Sequence, residues 1–186
     1  MAHRTISDDE FLFKALDLFR TYGYEGVSLS RLSETTGLEK ASLYYRYPGG
    51  KEEIVLAVAT WAVGWFEEFV FAPLQGEGVP RRRIGVVAEH LRSLYCDGTK
   101  PCVIEALSIS GGSDALKTVL RTTVRSWTKA FAEIAREAGL PPGLALLRAE
   151  EAIVRIEGAL IVARVLGDAT PFQRVLKLLP GMLTER

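Results

Sequence analysis

Between Asp8 and Tyr22 the apolar side chains Phe11, Leu12, Ala15, Leu16, Leu18 and Phe19 recur at three- and four-residue intervals, which predicts a helix with one buried face. Ser7 is placed to cap it, and Asp8, Asp9 and Glu10 follow where the free N–H groups of a first turn favour acids. Gly23 and Gly26 end this helix and permit a bend. A short helix is expected from Leu29 to Thr36 behind a Ser28 cap, and Gly37 breaks it. A second short helix runs from about Glu39 to Arg46, until Pro48-Gly49-Gly50 stops the chain.

The remainder carries the same periodicity, with neither strand alternation nor an internal repeat. Lys51 to Phe71 reads as one long helix. Breaks at Pro73 to Pro80, Cys96 to Lys100, Gly111-Gly112, Gly139 to Gly143 and Gly167 to Thr170 divide the rest into about five more. Thr99 and Pro101 are placed as cap and first-turn proline of a helix through Cys102, Glu105 and Leu107. Asp114 to Ala138 repeats Leu116, Leu120, Val124, Trp127, Phe131 and Ile134 on one face. Leu144 to Leu166 is apolar on more than one side, through Ile153, Ile156, Leu160, Ile161, Val162, Val165 and Leu166. That pattern predicts a helix shared between a core and a subunit interface, and therefore a dimer. The fold class is all-α: an N-terminal three-helix unit followed by a helical bundle.

Composition narrows the classes. With 186 residues, 48% hydrophobic and 25% charged, the chain is an ordinary globular one rather than a disordered tail, and large enough to fold without disulfides or a structural metal. Cys96 and Cys102 are the only cysteines, and no cationic stretch precedes an N-terminal apolar run, so a cytoplasmic location with reduced thiols is expected. The apolar run Ile54 to Phe66 is 13 residues long and fenced by Glu52, Glu53, Glu67 and Glu68. It falls short of the roughly 20 residues that span a bilayer, and no membrane partner is expected.

Two short helices joined by a glycine turn form a helix-turn-helix, whose second helix lies in the DNA major groove. Lys40, Ala41, Tyr44 and Tyr45 share one face of that second helix, while Leu43 points back toward Leu32. A cation, a small residue for close approach and two phenols suit a duplex groove. Singly, each tyrosine reads rather as a core aromatic, since most helical aromatics are buried. The longer string settles the choice: Gly26-Val27-Ser28-Leu29-Ser30-Arg31-Leu32, Thr36-Gly37-Leu38-Glu39-Lys40-Ala41-Ser42-Leu43-Tyr44-Tyr45-Arg46-Tyr47, then Pro48-Gly49-Gly50-Lys51-Glu52-Glu53-Ile54. Over residues 7 to 60 it closely resembles the DNA-binding region of the tetracycline-repressor (TetR) family of bacterial transcription regulators; over 61 to 186 the resemblance extends to architecture.

The resemblance implies that Lys40, Ala41, Ser42 and Tyr44 face base edges or nearby phosphates, that Tyr45 and Lys51 contact phosphate, and that Ser28, Ser30 and Arg31 hold the backbone from the supporting helix. Glu39 stands where many relatives have a capping serine, and either repels phosphate or accepts from a cytosine amine. Ala41 stands where glycine is frequent and Arg46 where histidine is, and the Pro-Gly-Gly-Lys turn is one residue longer than the family's shorter form. By resemblance, residues 1–50 form the DNA-binding domain and 51–186 the ligand-binding and dimerisation domain. The same resemblance places Trp61, Trp65, Phe69, Tyr95, Trp127 and Phe131 around a mostly apolar ligand cavity, with His90 and Glu105 as polar anchors. Taken alone, each of these aromatics reads rather as core filler, since bulky aromatics dominate helical cores.

Other chemistry finds little support. His90, Cys96 and Cys102 are too few and too widely spaced for an ordinary zinc site, and packing is the simpler role for both thiols. Gly49-Gly50-Lys51 lacks the following Ser/Thr of a phosphate-binding loop, and no nucleophile elbow, metalloprotease helix or cofactor fingerprint occurs, so neither cofactor nor metal is expected. Arg81-Arg82-Arg83 reads as solvated surface. The expected function is a ligand-responsive transcriptional regulator, a repressor released from a palindromic operator by a small molecule and acting as a homodimer through its last two helices, about Leu144 to Leu166 and Phe172 to Leu179. The competing reading is a helical small-molecule carrier or enzyme without DNA-binding activity. A formal net charge of +0 does not oppose the first reading, because residues 28 to 51 hold Arg31, Lys40, Arg46 and Lys51 against Glu34 and Glu39, a local +2. Screening over about 10 Å makes phosphates respond to that patch rather than to distant charges.

Overall fold

The computed structural model describes residues 6–108 and 113–186, helical with no strand among them, in two compact units. The first comprises the described parts of Met1–Val63 and Val103–Leu120. Its helices are α1 (Asp8–Gly26), α2 (Leu29–Thr36), α3 (Lys40–Arg46), the larger part of α4 (Lys51–Phe66) and α7 (Val103–Ser108), which lies along α1. Ser7 caps α1 as expected, its Oγ accepting from the Glu10 N–H at 3.1 Å. The helix bends at Gly23, which takes the non-helical φ +67°, and ends at Gly26, as the two glycines predict. Phe11, Phe19, Leu32, Leu43, Ile54 and Val58 form this unit's core, and Tyr47 stacks on Phe11 with ring centroids 5.2 Å apart.

The second unit, Gly64–Cys102 with Arg121–Arg186, contains α5 (Ala72–Gln75), α6 (Pro80–Leu94), a 3₁₀ turn at Cys96–Gly98, most of α8 (Asp114–Glu137), α9 (Pro142–Leu166) and α10 (Thr170–Thr184). Helix α10 packs on both α9 and α6. Phe66, Ile84, Leu91, Tyr95, Trp127, Phe131 and Phe172 fill the core.

Several boundaries differ from expectation. The helix beginning at Lys51 does not stop before Pro73: after Phe66 it widens into a π turn at Glu67–Phe71 and continues as α5, with Pro73 in the first turn of that last segment, where a missing N–H is tolerated. Lys51–Gln75 is thus a helical stretch of 25 residues, apolar enough by length and composition to cross a membrane. Ile54, Val55, Val58, Phe66, Val70 and Leu74 on it are buried inside the protein, the pattern of a core helix. Thr99 does not cap α7; its hydroxyl donates to the Cys96 carbonyl at 2.9 Å, and the helix begins only at Val103. Helix α9 starts at Pro142, two residues before Leu144, since proline is favoured at a first helical position. Helix α10 spans Thr170–Thr184 rather than Phe172 to Leu179. Pro180 forfeits one backbone bond, but buried Leu183, the Glu185 N–H bonded to the Gly181 carbonyl and an Arg81–Glu185 ion pair hold the final turn. The expected break at Gly111-Gly112 lies outside the described residues.

Candidate nucleic-acid interface

The turn between α2 and α3 is locked by two short hydroxyl side chains that sequence reading passed over. Ser33 Oγ donates to the Leu38 carbonyl at 2.6 Å, and Thr36 Oγ1 donates to the Leu32 carbonyl at 2.7 Å while accepting from the Leu38 N–H at 3.4 Å. Gly37 between them sits at φ +75°, a conformation that side chains with a Cβ rarely adopt. The two helices are therefore fixed against each other before any partner arrives. Their S/T-rich spacing was the available signal, because such hydroxyls often bond backbone within a few residues.

Helix α3 then divides as its periodicity predicts. Leu43 is wholly buried, whereas Lys40 and Ala41 are exposed, Ser42 is half-buried, and Tyr44 and Tyr45 stand 52% and 89% exposed. Two large aromatics left in solvent on a seven-residue helix are not core filler. Glu39 occupies the cap position of α3 without a side-chain capping bond.

The flanking residues are more occupied than expected. Ser28 Oγ accepts from the Arg31 N–H at 3.2 Å, capping α2, and Ser30 is half-buried beside it. Arg31 donates from Nη1 to the Gly26 carbonyl at 2.9 Å, and its guanidinium lies 3.9 Å from the Tyr22 ring centre. Lys51 Nζ donates to the Tyr24 carbonyl at 3.1 Å, sits 4.1 Å from the centre of the Tyr24 ring and lies 3.8 Å from the Glu25 carboxylate. Arg46 bonds Asp8 at 3.2 Å and the Ile6 carbonyl at 3.3 Å. Burial, then the carboxylates of Glu52 and Glu25, push the Tyr24 phenol above its ordinary pKa. Burial and Asp8 do the same to Tyr47, partly offset by Arg46. Both phenols thus remain neutral donors. The nine expected DNA-contacting residues all fall in the first unit, but Lys40, Ala41, Tyr44 and Tyr45 are the exposed set on α3, while Arg31 and Lys51 brace the scaffold.

The eight residues expected around a ligand divide between the units. Trp61 and Glu105 belong to the first; the Trp61 indole N–H donates to Asp9 at 3.0 Å, and its ring meets the Phe13 ring edge-on. The other six belong to the second. Trp65 stacks on Phe69 at 5.0 Å, Phe69 meets the His90 ring edge-on at 5.4 Å, and Trp127 contacts Phe131 at 5.8 Å. Phe66, which sequence reading missed, joins Trp65 to Trp127. Tyr95 sits apart from this chain, against Phe172, with its hydroxyl donating to Cys102 Sγ at 3.3 Å. His90 Nδ1 lies 2.7 Å from the Phe69 carbonyl, and a carbonyl only accepts, so the proton is on Nδ1. The Trp127 Nε1 is buried without a hydrogen-bond partner. Among the described residues no group of three or more His, Cys, Asp or Glu could hold a metal; Cys96 is exposed and Cys102 buried.

Known proteins resemble both halves. Residues 12–58 match the family model for bacterial regulatory proteins of the tetR family, and residues 80–178 match the C-terminal domain of LmrA/YxaF-like transcriptional regulators. The HTH-type transcriptional regulator LmrA of Bacillus subtilis is 25% identical over 186 residues, covering 95% of this chain and 96% of the relative. A TetR transcriptional regulator from Legionella pneumophila shares the fold with a TM-score of 0.85 at 18% identity, over 96% of this chain and 98% of its own. A cysteine-substituted TetR-family regulator, CifR, solved with a 26-bp double-strand operator, superposes with a TM-score of 0.72 at 22% identity, over 100% of this chain and 99% of its own.

Proposed function

This chain belongs to the tetR family of bacterial transcriptional regulators, and from that premise we propose how its residues act. It binds DNA to regulate transcription, and its proposed action is repression in the cytoplasm, released when a small molecule binds. Residues 1–50 form the reading head and residues 51–186 the ligand-binding and dimerisation part. Helix α3 enters the major groove with Lys40, Ala41, Ser42 and Tyr44 toward base edges, and Tyr45, Ser28 and Ser30 toward phosphate. The single observation that carries this is the pairing of buried Leu43 with exposed Tyr44 and Tyr45 on one short helix. Lys40→Ala and Tyr44→Ala are expected to abolish binding to duplex DNA drawn from the region preceding the protein's own gene, with the melting temperature unchanged. Retained binding would refute the assignment.

Dimerisation uses α9 and α10. Leu147, Val154, Ile161 and Val165 lie at seven- and four-residue spacing on α9 and are all exposed in the single chain, with Leu178 exposed on α10. Such a stripe supports a two-fold helical interface that sets two reading heads about 34 Å apart, one turn of DNA. The effector site is the aromatic cluster of Trp65, Phe69, Trp127 and Phe131. Its support is the orphaned Trp127 N–H, since a buried donor without an acceptor costs about 1–3 kcal/mol, which a ligand oxygen would recover. Release requires the effector to prefer a conformation in which the heads no longer match successive grooves. The protein acts by binding rather than by catalysis.

A further inference from the structure

The second unit has a groove of about 480 Å³ outside the aromatic core, lined from α8 by Val124, Arg125, Thr128, Lys129, Ala132 and Arg136 and from α9 by Pro142, Leu146 and Glu150. From its composition we infer a binding site for a small organic anion with an apolar body, such as a medium-chain carboxylate. Helical spacing sets Arg125, Lys129 and Arg136 along one face of α8, with Arg121 one turn before them. Against these cations the lining offers only Glu150. Glu133, beside the groove, reaches Lys129 at 3.8 Å and Arg136 at 3.9 Å, loose pairs that exposed side chains exchange readily. Among the described residues, the side chains of Arg121 and Arg125 make no ion pair or hydrogen bond. The floor is apolar: Val124, Ala132, Pro142 and Leu146, the last half in solvent.

Size decides between a molecule and a macromolecule. A groove of about 480 Å³ lies within the roughly 300–1,000 Å³ range of small-molecule sites. Its length along α8, Val124 to Arg136, is about 18 Å at 1.5 Å per residue, whereas a stable protein partner needs about 800 Å² on each side. A carboxylate between Arg125 and Lys129 with its chain along Leu146 and Val124 satisfies both the unpaired charge and the bare apolar floor. The site is independent of the DNA-binding reading.

The test is equilibrium fluorescence binding of 11-(dansylamino)undecanoic acid to the full-length protein, with its methyl ester as the uncharged control. The acid is expected to bind at least tenfold more tightly than the ester, and Arg125→Gln/Lys129→Gln is expected to cost it at least tenfold. Leu146→Glu is expected to cost a similar factor through the floor, and both variants change exposed side chains, so their melting temperatures should match wild type. Trp127→Phe should leave the affinity unchanged. No binding, equal affinity for acid and ester, or loss in Trp127→Phe but not in the double variant would overturn the site, the last by placing the probe in the aromatic core. Sedimentation with phosphatidylglycerol vesicles that depends on Arg125 and Lys129, without binding of the soluble acid, would also overturn it in favour of a membrane surface.

Discussion

His90 Nδ1 lies 2.7 Å from the carbonyl oxygen of Phe69, the backbone group that an unbroken α-helix would bond to residue 73, where this chain has a proline and no N–H. The imidazole thus serves the π turn that carries the helix past Pro73. Replacing His90 by alanine removes its bond to that carbonyl, and urea unfolding should show a loss of about 0.5–1.5 kcal/mol. An unchanged midpoint would mean that His90 contributes nothing to the turn.

Lys51 joins the first turn of α4 to the end of α1 through the Tyr24 carbonyl and ring. Lys51→Met keeps the aliphatic stem but removes the charge, and the expected cost is about 0.5–1 kcal/mol in thermal unfolding. Operator affinity should fall as well, because the joint holds the reading head. If affinity falls while stability is untouched, Lys51 is a phosphate contact alone.

Asp168 accepts from the Thr170 side chain and from its backbone N–H at 2.9 Å, and these bonds lower its carboxyl pKa. A group whose folded pKa is depressed adds stability above its unfolded value and loses it as the pH falls through the folded one. Asp168→Ala should therefore melt below wild type near neutral pH, with the two melting temperatures converging below the ordinary carboxylate range. A gap constant with pH would mean that the carboxylate charge is irrelevant.

Val154 is 70% exposed at the middle of the α9 stripe. Val154→Glu should leave the protomer folded by circular dichroism and shift sedimentation from dimer to monomer, since a charge facing its own symmetry mate is uncompensated. A dimer that persists would place the interface elsewhere.

What the sequence disclosed was what neighbouring residues decide. The caps Ser7 and Ser28, the break at Gly37 and the inward turn of Leu43 each depend on spacings of a few residues, and each stands where periodicity put it. Contacts between distant positions were not legible. Trp61 reaches Asp9 across 52 residues and His90 reaches Phe69 across 21, and no local pattern announces either. The surroundings of Arg31, read as a clamp on the DNA backbone, were equally hidden: its guanidinium lies against the Tyr22 ring and donates to the Gly26 carbonyl. Helix α10 outlasted Pro180 because burial of Leu183 outweighs one absent hydrogen bond.

The central claim is that the α3 face reads duplex DNA as one half of a symmetric pair. Selection of bound duplexes from a random-sequence pool tests it most directly, run in parallel with wild type and with Lys40→Ala/Tyr44→Ala. Wild type should enrich a near-palindrome whose half-sites are separated by about one helical turn or a multiple of it, and the double variant should enrich nothing. Absence of any enriched sequence with dimeric wild type, or the same palindrome recovered by the double variant, would contradict the account.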